Sequence, residues 1–205
     1  MRHPLTPRGA DCVRAFRLLE KYCGDNTALL RLLVTHSTAV ATEALSLLTL
    51  SGHTDADLPF TAEAALLHDI GVTRCDAPGI HCHGTLPYIC HGTAGADILR
   101  AEGLPRHALV CERHTGSGLT REEIAQQGLP LPDADFLPLS IEEKAICLAD
   151  KFFSKSGDPT ERKTFDRTRR SIERHGEEPL RRFDALAALF QRRSDLPERP
   201  ESEKI

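Results

Sequence analysis

The sequence predicts an all-α fold, a bundle of helices, on three observations. Apolar residues recur at helical spacing wherever a pattern is clear. Ser, Thr, Asp or Asn stands where those periodic stretches open, and Gly stands where they close. No β-rich stretch, internal repeat or interdomain linker interrupts the series.

The elements follow in order. Between Asp11 and Gly24, Cys12, Ala15, Phe16, Leu19, Tyr22 and Cys23 mark one helical face. A second helix is expected from Asp25–Asn26 to about Leu50, before Ser51–Gly52. Thr61 caps a third, TAEAALLHDI, with Gly71 as its stop. A loop with Pro78, Gly79, Gly84 and Pro87 leads to a helix from Tyr88 to Glu102, and Pro105 opens the next, which ends near His114. Thr120 with Glu123, and Ser140 with Glu143, read as capping boxes. Asp158, Pro159 and Glu161 open a helix to Gly176, and Pro179 opens the last, through Phe190. The expected organisation is one domain over residues 1–193, with its core at about 25–155 and a charged, disordered tail at 194–205.

Composition narrows the function classes. A net charge of −4, from 26 basic and 30 acidic residues, supplies no broad attraction for nucleic acid, which is not expected as a partner. No apolar run approaches the roughly 18 residues that span a bilayer, so no membrane partner is expected. Seven cysteines without a CxxC pair read as reduced thiols in the cytoplasm. Ten histidines, six of them between positions 68 and 114, suit a metal site.

Particular residues carry the argument further. His36 lies in the row Leu29, Leu33, Val40, Ala44, where a buried imidazole needs a partner: a backbone carbonyl or a metal. His68–Asp69 ends an apolar helix, and a carboxylate at that negative pole calls for a nearby cation. His91 shares a face with Gly95, whose missing side chain leaves room for an ion, a substrate or a packed helix. His114 closes the fifth helix; His107 is an alternative expected to be exposed. Asp150, in the apolar AICLADKFF, needs a cation, and Lys151 sits about 100° round the helix from it. Four imidazoles and two carboxylates form a mixed set for borderline divalent ions, enough for two metals bridged by Asp69.

The order His36, His68-Asp69, His91, His114, Asp150 resembles the HD superfamily of metal-dependent phosphohydrolases, in the subgroup with the HDIG string His68, Asp69, Ile70, Gly71. The resemblance covers about residues 25–155 and implies an HD-domain helical bundle of roughly five core helices, here with extra C-terminal helices. It implies one metal on the positions of His36, His68, Asp69 and Asp150. In two-metal branches it implies a second on those of His91 and His114, with Asp69 bridging. HGTAGADIL is similar to a string of the cyclic-dinucleotide phosphodiesterase branch, but VCERHTGSGL departs from that branch's other motif. HTGSG is closer to a dinucleoside-tetraphosphate hydrolase string.

The expectation that follows is a phosphohydrolase. It would act on a small phosphorylated substrate, a nucleotide, through one or two divalent ions (Fe, Mn, Zn or Mg). Asp69 and Lys151 are its expected catalytic residues, with Lys151, Arg113, Arg74 and His83 contacting substrate. His81 and His83 are also candidate proton donors. A di-iron oxygenase and a non-enzymatic nucleotide sensor are the alternatives, and a homo-oligomer is compatible with all three.

Overall fold

A computed structural model describes residues 10–190, so the expected tail at 194–205 lies outside the described residues. The all-α expectation holds. The helices are α1 (Ala10–Cys23), α2 (Thr27–Leu50), α3 (Leu58–Leu67), α4 (His91–Ala101), α5 (Pro105–Arg113), α6 (Arg121–Gln127), α7 (Ile141–Lys151), α8 (Phe165–Glu173) and α9 (Glu177–Leu189). Short 3-10 turns cover Ile70–Arg74, Pro78–Ile80 and Tyr88–Cys90. A two-residue hairpin, β1 (Asp76–Ala77) with β2 (Cys82–His83), projects from the loop before α4.

Local chemistry sets the helix ends, and several differ from expectation; the third helix, for one, stops at Leu67, and Gly71 lies inside the 3-10 turn instead of closing the helix. The third helix opens three residues before Thr61, because the Asp57 side chain accepts from Phe60 N (3.1 Å) and Pro59 suits the first turn. Asp158 does not open a helix, because its carboxylate is engaged by Thr160 N (2.8 Å) in a local turn. The α8 cap is Thr164, which accepts from Arg167 N at 3.2 Å. Thr120 and Glu123 form the expected reciprocal box. Ser140 caps α7, but Glu143 turns instead to Leu139 N and Arg113.

Two apolar clusters share α2 and α3. One gathers α1, the first half of α2, the end of α3, α4 and α5 around Leu33, Leu66, Ile98 and Leu99. The other gathers the second half of α2 with α7, α8 and α9 around Val40, Leu48, Ile146 and Phe183. Each fully buried Leu, Ile or Phe contributes about 1.5–3 kcal/mol relative to an exposed one. His36 stands between Leu33 of the first cluster and Val40 of the second, at the changeover between them. α2, at 24 residues, is long and apolar enough to cross a membrane by length and composition, contrary to the reading of its sequence. Its row Leu29, Leu33, His36, Val40, Ala44, Leu48 is instead buried inside the bundle. All seven cysteines are buried.

Candidate metal centre

Each imidazole of the cluster reaches it by a different local device. His36 is carried by the buried row of α2. His68 follows the last residue of α3, and its Nδ1 lies 2.6 Å from Ala65 O. Asp69 heads the 3-10 turn without capping it, which leaves its carboxylate to face inward. Gly71 then meets α4 so closely that a Cβ on it would lie 2.0 Å from His91 O and 2.3 Å from Gly95 N. Gly95 therefore serves helix packing, and the packing delivers His91. His91 Nδ1 lies 2.7 Å from Tyr88 O, and His114 Nδ1 lies 2.7 Å from Cys111 O at the end of α5. Three imidazoles thus commit their Nδ1–H to a backbone carbonyl and aim Nε2 inward, the orientation that metal-binding histidines use.

The six predicted side chains converge. His68 Nε2 lies 2.9 Å and His36 Nε2 3.3 Å from Asp69 Oδ2, while His36 Nε2 is 3.0 Å from Asp150 Oδ1. His114 Nε2 and His91 Nε2 lie 3.4 and 3.7 Å from the other oxygen, Asp69 Oδ1. Two ligand groups result, His36–His68–Asp69–Asp150 and Asp69–His91–His114, each with donor atoms within 4.8 Å of one another. Asp69 belongs to both, one oxygen turned toward each. All six residues are buried.

The cluster is incomplete without cations. Both Asp69 oxygens and His68 Nε2 are buried without an aligned hydrogen bond, so the carboxylate depends on the charge of close cations, His68 at 2.9 Å and Lys155 at 2.7 Å from Oδ2. His91 Nε2 and His114 Nε2 are 3.1 Å apart; with both Nδ1 protonated, two lone pairs face each other, and a cation between them removes the conflict. The donor set, imidazole nitrogen and carboxylate oxygen in a dry pocket, fits a divalent ion such as Fe, Mn or Zn.

Protonation in the metal-free protein reflects the same need. Burial works against charge at His68, but Asp69 and Asp150 raise it to about 9. Burial, with His114 beside it, drives His91 down to about 3, and burial also lowers His114. Burial would raise both carboxyls, yet the facing cations hold them well below the usual range, His68 and Lys155 at Asp69 and the two lysines at Asp150.

Lys155 escaped the sequence reading. Its Nζ lies 2.7 Å from Asp69 Oδ2, an ion pair in a buried setting. It sits in the Ser-Lys-Ser-Gly loop after α7, where no periodicity marks it. Lys151, not an obvious partner for Asp150 at about 100° round the helix, reaches back to place Nζ 2.8 Å from Asp150 Oδ2, and it donates to His114 O at 3.2 Å. A cleft of about 940 Å³ adjoins the cluster, lined by Tyr88, Asp150, Lys151, Lys155, Lys163, Arg174 and His175 among others.

The other expected substrate contacts lie elsewhere. Arg113 is held by Glu143 at 3.1 Å, Arg74 is exposed on the 3-10 turn, and His83, like His81, is exposed at the hairpin; none lines the cleft. His107 is buried rather than exposed, 3.0 Å from Glu63, whose carboxylate also meets Arg14. It takes no part in the cluster.

No family model matches the chain, and no solved structure matches it. The uncharacterized protein MJ0778 of Methanocaldococcus jannaschii is 36% identical over 140 residues, 67% of this chain and 72% of that protein. A tRNA (cytidine(56)-2'-O)-methyltransferase of Thermoplasma volcanium is 39% identical over 102 residues, covering 49% of this chain and 26% of the enzyme. One of the same name from Picrophilus torridus is 39% identical over 99 residues, covering 48% and 25%. The chain thus matches about a quarter of each methyltransferase. These names overturn two expectations. They point to RNA methylation instead of a phosphohydrolase acting on a small phosphorylated substrate, and they bring nucleic acid in as a partner where net charge had argued against it. The oxygenase and nucleotide-sensor alternatives gain nothing from them.

Proposed function

Because the chain belongs to the family of the M. jannaschii protein MJ0778 and shares about half its length with two tRNA methyltransferases, we propose that it is a metal-binding helical domain that engages tRNA in 2'-O-methylation. The part assigned to it is holding the RNA. In this reading its helical frame is that of the HD superfamily and its setting is the cytoplasm.

The observation that carries the reading is the cationic cleft beside a buried His/Asp cluster. Lys151, Lys155, Lys163 and Arg174 line it, outnumbering the two carboxylates there, Asp150 and Glu123. Local cation density, not net charge, decides whether a phosphate backbone is held, because each phosphate neutralised releases condensed counterions. Lys163 is kept at the cleft by its own packing: Nζ donates to Phe153 O at 2.9 Å and Lys151 O at 3.2 Å, which caps the end of α7. Arg174, exposed at the end of α8, has Ser171 Oγ as its hydrogen-bond partner at 3.2 Å, which leaves the rest of its guanidinium for phosphate.

His36, His68, Asp69 and Asp150 would hold one divalent ion, and Asp69, His91 and His114 a second. When bound, such ions supply a Lewis-acidic centre for a phosphate oxygen. The residues of the chain do the remainder: Lys151 and Lys163 hold charge along the cleft, and Tyr88, stacked on His91 at 4.7 Å between ring centroids, walls off one side of the centre.

Titration of metal-loaded protein with tRNA at several salt concentrations tests the proposal. Binding in the micromolar range is expected, weakening with salt, and Lys163→Ala and Arg174→Ala should each reduce the log–log salt slope by about 0.9. No salt-dependent binding, or binding indifferent to both substitutions, would refute it.

A further inference from the structure

We propose that Lys155 and a divalent ion exchange at Asp69: the ammonium is the counter-ion of the metal-free centre, and metal binding releases it into the cleft as a phosphate contact. The inference rests on the metal-binding reading above.

The geometry places both cations on one atom. Asp69 Oδ2 is the oxygen nearest His68 Nε2 (2.9 Å) and His36 Nε2 (3.3 Å), the side on which the four-residue group would coordinate its ion. Lys155 Nζ stands 2.7 Å from that same oxygen. An ion coordinated there sits about 2.0–2.2 Å from its carboxylate oxygen. A divalent and a monovalent cation would then crowd one buried oxygen, and the ion with four ligands displaces the ammonium, whose one salt bridge is to Asp69, with Tyr88 and Asp150 assisting more weakly.

Lys155 is built to leave. It lies beyond the last turn of α7, in a segment where Ser156 and Gly157 are exposed. Ser154 and Ser156 bond to each other there, Oγ to Oγ at 3.0 Å and Ser156 N to Ser154 Oγ at 3.3 Å, so these loop polar groups satisfy one another. Its four-carbon stem needs only rotamer changes to swing a compact ammonium outward. The cleft it already lines contains Lys151 and Lys163, so the freed charge joins a site that attracts anions. Lys151 does not share this freedom, being held by both Asp150 Oδ2 and His114 O. Occupancy of the centre by metal and readiness of the cleft for RNA are thereby linked through one side chain.

Amine acetylation of the full chain, read lysine by lysine by peptide mass spectrometry, tests the exchange. Metal-free protein should leave Lys155 protected. Saturating Mn²⁺ should raise its labelling about tenfold relative to the other lysines, and Lys155→Met should bind Mn²⁺ about tenfold more tightly, the equivalent of ~1.4 kcal/mol. Lys155 equally protected with and without bound Mn²⁺ would overturn the exchange while leaving the metal reading intact. So would a Lys155→Met protein that binds Mn²⁺ no more tightly than the parent. Failure of the parent protein to bind Mn²⁺, Fe²⁺ or Zn²⁺ by calorimetry would bring down both.

Discussion

Gly71→Ala isolates the device that sets the second half of the centre. A methyl on Gly71 would lie 2.0 Å from His91 O, 2.3 Å from Gly95 N and 2.8 Å from Gly95 Cα, all backbone atoms that cannot rotate away. Reaching ordinary contact at 3.4 Å requires the turn and α4 to separate by about 1.4 Å. Overpacking of this kind costs roughly 1–3 kcal/mol, occasionally more. The displacement falls on His91, already 3.7 Å from Asp69 Oδ1, while the ligands on α2 and α7 are untouched by it. The variant should therefore unfold at lower urea concentration and hold one ion per chain against the two proposed for the parent, as read by denaturant titration and by metal analysis of the same sample. Gly95→Ala provides the scale: its nearest neighbours stand at 3.1–3.3 Å, and two of the three are atoms of the Cys111 side chain. It should cost about 1 kcal/mol or less, offset in part by the gain of up to about 1 kcal/mol from Ala in a helix. Unchanged stability and two ions in Gly71→Ala would refute the idea that this contact positions His91.

Two further outcomes follow from the cluster. His114→Ala should remove the ion shared with His91 and keep the other, so metal content should fall from two to one; loss of both would show that the groups are not separable. Stability of the metal-free protein should fall as pH rises from about 6.5 to about 9. His68 is raised in the folded protein from 6.5 to about 9, so the stability from its charged form is complete below 6.5 and is lost as pH climbs through 9. With metal bound the trend should reverse, since ligands must be deprotonated to bind. Denaturant midpoints across that range check both, and a metal-free midpoint that rises with pH contradicts the assignment.

Much of this architecture is readable in the residues, for physical reasons. The row Leu29, Leu33, Val40, Ala44 exposes His36 as a buried imidazole because helical periodicity is strongest where one face is apolar. Asp69 at a helix end and Asp150 in an apolar run stand out because an unpaired buried carboxylate is costly. The misreadings share a cause as well. Lys155 lies on a loop, where sequence carries no periodic signal, and only the tertiary fold brings it to Asp69. The angle of Lys151 around the helix makes it an unobvious partner for Asp150, yet a long flexible side chain spans that angle. Asp158 and Glu161 look like a helix start, but a local side-chain turn to Thr160 competes with the helix there. Net charge is a weak guide to partners because it sums over the whole chain, whereas the cleft gathers Lys151, Lys155, Lys163 and Arg174 with Asp150 and Glu123 in one place.

Anomalous diffraction from crystals of Mn²⁺-loaded protein tests the central claim most directly. The account predicts two peaks about 3.5–4 Å apart, as in paired-ion sites. One should be coordinated by His36, His68 and Asp150, the other by His91 and His114, with Asp69 bridging them. No peak among these side chains, or ions held elsewhere on the chain while the six remain paired only with one another and the lysines, would contradict it.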